Sequence, residues 1–122
     1  MKPANTKHVD LVISLADALN AHDLDRARTF LTDDMAFVGV FGPPLKGAQA
    51  YLNAMGSLRA NQRILKVFAD ETEVGCFYEL TLPSAPNNPI FGCGWFKIVD
   101  DRIHFIRVVF DPTSLSKGDS ML

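Results

Sequence analysis

A chain of 122 residues, 48% hydrophobic and 21% charged, has the size and profile of one ordinary globular domain. Its formal net charge of −2 and its scattered basic residues (Arg26, Arg28, Arg59, Arg63, Lys66) argue against the basic face that nucleic-acid binding requires. The first apolar run, VDLVISLADAL, is interrupted by Asp10, Ser14 and Asp17, so neither an export signal nor a membrane span is expected, and the expected location is cytoplasmic.

In chain order, Val9, Val12, Ile13, Ala16 and Leu19 follow helical spacing and predict a helix over residues 6 to about 20, with Asn5 or Thr6 as its cap. Leu11, Leu15 and Ala18 widen the stripe, so much of the circumference is expected to be buried. HDLDRARTFL restarts a helix from Asp23, with Leu24, Ala27 and Leu31 on one face, and TDD closes it. The strand in MAFVGVFGPP alternates but carries no side chain capable of acid–base chemistry. GPPLKG then reads as a turn, and AQAYLNAM as a short helix with Ala48, Tyr51, Leu52 and Met55 on one side and Gly56 as its stop.

Four strands follow: ILKVFA, VGCFYELTL, PIFGCGWFKIV and IHFIRVVF. They are joined by a bend at DET, the Pro-rich loop PSAPNNP (83–89) and a two-Asp hairpin, DDR. An ordered core of about 6–112 and a polar tail over 113–122 are expected within a single domain, 1–122. Cys76 and Cys93 are too few for a disulfide framework, and His8, His22 and His104 lack metal-ligand spacing. Neither a metal nor a cofactor is expected. Helices followed by antiparallel strands predict an α+β fold with helices packed on one face of a curved sheet.

Three segments carry a family resemblance: ALNAHDLDRARTFLTDDMAF (18–37), Gly47 opening a short helix, and WFKIVDDRIHFIRVVFDP (95–112). Together they resemble the nuclear-transport-factor-2-like superfamily, whose enzymes include SnoaL-like polyketide cyclases, ketosteroid isomerases and limonene-epoxide hydrolases. The resemblance spans most of the chain. It implies a cystatin-like, cone-shaped α+β barrel with a curved, mixed, mostly antiparallel sheet, an inner-face pocket, and a homodimer through the outer sheet face.

It also allows the enzymes' residues to be traced. The isomerases use a Tyr and a protonated Asp as oxyanion hole and another Asp as base; their places fall on Leu15, Gly94 and Gly39. The Asp–Arg–Asp set of the epoxide hydrolases falls on Leu80, Tyr78 and Val108, and their Tyr and Asn on Phe37 and Gly39. No carboxylate occupies any of these positions, and a general base must lie within hydrogen-bond reach of its proton. Neither mechanism is therefore expected here.

The same alignment, with strand alternation, puts Cys76, Tyr78, Leu80, Gly92, Gly94, Phe96, Ile106, Val108 and Phe110 on the inner face. With Leu15, Phe37, Gly39, Tyr51 and Met55, these residues other than Cys76 are the candidate ligand-binding set. Tyr78 is the one candidate for a catalytic role. The expected partner is a small apolar molecule, although Phe37, Phe96 and Phe110 could instead fill the space. His104 shares the inner parity at the rim. On the outer face, Phe77, Phe91, Trp95, Phe105 and Arg107 are the expected dimer contacts, with Glu79, Lys97 and Arg107 able to pair across strands. Asp111 points outward and precedes Pro112, so capping or turn formation is expected of it.

Three functions fit: a binder of a small hydrophobic molecule, a cyclase- or isomerase-like enzyme using Tyr78, and a protein–protein adaptor.

Overall fold

The computed structural model describes residues 4–111; the polar tail expected beyond lies outside them. Three helices pack on one six-stranded sheet. The elements are α1 (Ala4–Asn20), α2 (Leu24–Arg28), β1 (Leu31–Val38), β2 (Leu45–Lys46), α3 (Ala48–Leu58), β3 (Asn61–Ala69), β4 (Glu73–Leu82), β5 (Ala85–Val99) and β6 (Arg102–Phe110). The strand order is β2-β1-β6-β5-β4-β3. Only the β1–β6 pair is parallel, so the sheet is mixed and mostly antiparallel. Register shifts at Leu31/Ala36, Ile64/Lys66 and Lys97/Ile98 act as bulges, which bend a sheet and increase its twist. The curved sheet wraps α1, whose Val12, Leu15, Ala16 and Ala18 are buried.

Local chemistry explains the joints. His22 takes a left-handed conformation (φ 57°) and the Asp23 N–H reaches back to the Ala18 carbonyl at 2.9 Å, a Schellman-type end to α1. The Asp23 carboxylate then accepts from the Arg26 N–H at 3.1 Å and starts α2. Asp100 and Asp101 both have positive φ, 51° and 62°, as a two-residue hairpin turn requires.

Several expectations need correction. Asn5 and Thr6 lie inside α1 rather than capping it. Leu31 and TDD belong to β1, because the Ile103 N–H donates to the Phe30 carbonyl and β1 pairs with β6 from Leu31 onward. Leu45 and Lys46 of GPPLKG pair with β1. Gly56 does not stop α3. The helix runs on to Leu58 and ends at a left-handed Arg59 (φ 53°), while a Cβ on Gly56 would sit 3.0 Å from Leu24 Cδ1. This glycine serves the close approach of α2 and α3. Of PSAPNNP, only Pro83 and Ser84 form the turn; residues 85–89 start β5. The register shifts between the Leu80–Ile90 and Leu82–Ala85 pairs, and residues 86–89 have no partner on β4, so the missing proline N–H groups cost no bond of that ladder.

Candidate functional site

The concave side of the sheet and the two longer helices enclose one apolar cavity. Helical spacing brings Val12, Leu15, Ala16 and Leu19 of α1 to it, and Tyr51, Met55 and Leu58 come from α3. Alternation on the strands contributes Phe37 (β1), Gln62 and Ile64 (β3), Cys76, Tyr78 and Leu80 (β4), Phe96 (β5), and Ile106, Val108 and Phe110 (β6). Its free volume is about 50 Å³, enough for a few waters but below the roughly 300–1,000 Å³ of a site for a drug-sized ligand. Phe37, Phe96 and Phe110 therefore fill much of the cone without closing it. Leu19, Met55, Leu58, Gln62 and Ile64 are the half-buried members of the α1, α3 and β3 walls. There Asn20 clasps β3: its amide donates to the Gln62 carbonyl at 2.7 Å and its oxygen accepts from the Gln62 N–H at 2.8 Å.

The lining carries no carboxylate, imidazole or cationic side chain among the described residues. Its polar side chains are the buried phenols of Tyr51 and Tyr78, the half-buried Gln62 amide and the Cys76 thiol. Tyr51 is 3% and Tyr78 7% exposed. Neither hydroxyl has a protein hydrogen-bond partner among the described residues, and neither is sealed from the cavity. Burial raises both phenols well above their ordinary value; for Tyr51 the charge of a Tyr78 phenolate adds to the effect, and for Tyr78 the two cysteines do. Both remain protonated donors across the physiological range. Burial pushes the Cys76 thiol up to about 11, against a backbone hydrogen bond from Gly94, so it is not a ready nucleophile. The Tyr51 ring is held against Phe37, with centroids 5.1 Å apart at 45°.

Ten of the sequence candidates meet at this cavity: Leu15, Phe37, Tyr51, Met55, Tyr78, Leu80, Phe96, Ile106, Val108 and Phe110. Gly39, Gly92 and Gly94 do not line it. β1 ends at Val38, which leaves Gly39 in the following loop. Gly92 pairs with Tyr78 and lies under its ring: an added Cβ would be 2.8 Å from both Cζ and Oη. At Gly94 a Cβ would meet Phe96 Cε1 at 3.0 Å and Cys76 Sγ at 3.2 Å. At Gly92 and Gly94 the space that a Cβ would take is occupied by aromatic neighbours.

Val12, Ala16 and Leu19 were missed as lining residues although they lie three before, one after and four after Leu15. Leu58 continues the Tyr51–Met55 face but lies past the helix stop expected at Gly56, and Gln62 and Ile64 had no such signal, because their place depends on how β3 packs on α1. His104 stays outside the cavity, with Nδ1 3.0 Å from Thr32 Oγ1 and 3.5 Å from Asp34 Oδ1. The two cysteines are free and face opposite sides of the sheet. Among the described residues, no cluster of three or more His, Cys, Asp or Glu is arranged to hold a metal ion, and no helix is long and apolar enough to cross a membrane.

The outer face carries Phe77, Phe91 and Trp95 as expected, and also exposes Leu65, Phe68, Val99 and Val109. Phe68, Phe77 and Phe91 form a ring series at 5.8 and 5.9 Å. Trp95 meets Phe105 edge-on at 5.8 Å, with the Lys97 ammonium over both rings. Glu79 pairs with Arg63 at 3.8 Å rather than with Lys97 or Arg107, because β3 is its neighbour on that side.

Three helices on a curved six-stranded sheet, closed around an apolar hollow, define the cone-shaped α+β class. Residues 12–106 match the family model of the SnoaL-like domain, and the chain belongs to that family. Solved structures agree on the fold. An NTF2-like protein of unknown function from Cytophaga hutchinsonii is 26% identical, with a TM-score of 0.80 over 93% of this chain and 96% of that one. An LEH-like epoxide hydrolase from M. tuberculosis is 22% identical (TM-score 0.78; 95% and 91% covered). A protein assigned as a SnoaL-like polyketide cyclase from a Jannaschia species is 17% identical (TM-score 0.78; 93% and 92% covered). No curated protein matches the sequence.

Proposed function

We propose that this SnoaL-like protein binds a small hydrophobic molecule in the cone, without the acid–base residues that its enzyme relatives use there. The observation that carries this reading is a cavity walled by apolar side chains whose main polar groups, the Tyr51 and Tyr78 hydroxyls, have no protein partner among the described residues. Apolar walls with a few placed polar groups are the ordinary design of a small-molecule site. The free volume of about 50 Å³ implies that entry displaces side chains at the half-buried end. Met55, unbranched and adaptable, is the group suited to move.

A second reading follows from the same phenols. An enzyme of the cyclase or isomerase kind would use Tyr78 to stabilise developing charge on a substrate oxygen. The Tyr78→Phe variant separates the two: an enzyme loses turnover far more than binding, whereas a binder loses only modest affinity. The test of the pocket itself is native mass spectrometry of protein purified gently from its own host. A reproducible small added mass that disappears in a cavity-blocking Ala16→Phe variant supports the reading; an identical added mass in that variant refutes it.

We further propose that the exposed aromatic face is a homodimer surface. In the single chain Phe91 is 57% and Val109 58% exposed, in a patch that also holds Phe68 and Trp95. Contiguous exposed apolar area of this kind marks interaction sites.

A further inference from the structure

Resting on the pocket reading above, we infer that Tyr51 and Tyr78 form a two-donor site that selects an uncharged apolar ligand carrying a carbonyl oxygen. The two residues come from different elements, α3 and β4, yet line the same hollow. Each is more than nine-tenths buried, and each keeps a hydroxyl open to the cavity without a protein partner among the described residues. A buried O–H left without an acceptor is costly, so an occupant that supplies one is favoured over an occupant of the same shape that does not.

The charge of the occupant follows from what is missing from the wall. No Arg, Lys or His among the described residues lines the cavity to balance a carboxylate, and no Asp or Glu lines it to balance an ammonium. Burying either charge unpaired would cost far more than two neutral hydrogen bonds return. An alcohol oxygen accepts but brings a further donor to satisfy. A carbonyl oxygen has two lone pairs and no proton, and so matches two donors without remainder. Phe37 against Tyr51, and Gly92 beneath Tyr78, hold the two rings in place. Both residues are thus specificity-determining.

The experiment uses cyclopentanone and methylenecyclopentane, which share shape and differ by C=O against C=CH₂, with cyclopentanecarboxylate as the charged control. Dissociation constants for the full chain are measured by ligand-observed NMR in wild type, Tyr51→Phe and Tyr78→Phe. Transfer of each probe out of water cancels when the ketone-to-alkene affinity ratio is compared between variants. That ratio is expected to fall about tenfold in each single variant, while affinity for the alkene stays level or rises. The infrared C=O stretch of the bound ketone is expected to move up in each variant as a donor is lost. Carboxylate binding is expected to be absent at neutral pH. An unchanged ratio in either variant, with both uncharged probes still bound, overturns the two-donor site and leaves the pocket standing. Carboxylate binding as tight as the ketone overturns the charge selection alone. Failure of every probe to bind wild type overturns both the pocket reading and this inference.

Discussion

Replacing Gly92 by alanine adds one methyl group beneath the Tyr78 ring. Its Cβ would lie 2.8 Å from Tyr78 Cζ, 2.8 Å from Tyr78 Oη and 2.9 Å from the Val109 carbonyl oxygen. Relaxed carbon contacts lie near 3.5–4.0 Å, so each approach is short by about 0.6 Å or more. The ring end can retreat into the adjoining free space, but the Val109 carbonyl belongs to β6, paired with Cys93, and moves only with the ladder. Overpacking of this kind costs about 1–3 kcal/mol, or a fall in Tm of about 3–5 °C for each kcal/mol in a domain of this size. Urea and thermal melts of Gly92→Ala read the total. The double variant with Tyr78→Val removes two of the three contacts, so the cost of the alanine should drop by about 1 kcal/mol in that background while the Val109 share remains. A Gly92→Ala protein within about 0.5 kcal/mol of wild type, with no coupling to residue 78, would refute the placement of the phenol over the glycine.

Asn20→Leu removes both arms of the clasp and leaves the Gln62 N–H and carbonyl unpaired in a half-buried setting; a loss of about 1–3 kcal/mol is expected in denaturant melts, with faster hydrogen exchange at Gln62. Stability should fall on the alkaline side. Burial raises Cys76, Tyr51 and Tyr78 above their unfolded values, so their contribution is complete below those values and is lost as the unfolded chain ionises: from about pH 8.5 upward for the thiol and from about pH 10 for the phenols. Cys76→Ala should remove the early part of the decline and Tyr78→Phe part of the later, in melts stepped from pH 7 to 11. Phe91→Glu with Trp95→Glu should turn a dimer into a folded monomer in sedimentation runs, since both side chains are already exposed in the single chain; a wild-type monomer at micromolar concentration would refute the outer-face dimer.

Much of the architecture was legible because it rests on local periodicity. The stripe Val12, Leu15, Ala16, Leu19 can face one way only on a helix, and alternation from Cys76 to Leu80 fixes which side chains turn inward. His22, Asp23, Asp100 and Asp101 likewise set their turns with their own backbone preferences and hydrogen bonds. What depended on tertiary contact was not legible. Gly56 reads as a helix stop by composition, yet only the approach of Leu24 shows why it sits mid-helix. Gly92 and Gly94 read as inner-face lining from alternation along their own strand, and the rings that lie against them come from Tyr78, across the ladder, and from Phe96, two residues on from Gly94. Tyr51 reads as one face residue among several; its hydroxyl became a candidate donor only when α3, packed on β1, brought it to the same cavity as Tyr78 and no protein partner met it among the described residues. Sequence alone determined the elements and their buried faces, because periodicity is written in neighbouring residues, and the resemblance of three segments added the family and the cone. The size of the cavity, its half-buried end and the pairing of its phenols were decided by tertiary structure, because each is a sum over side chains distant in the chain.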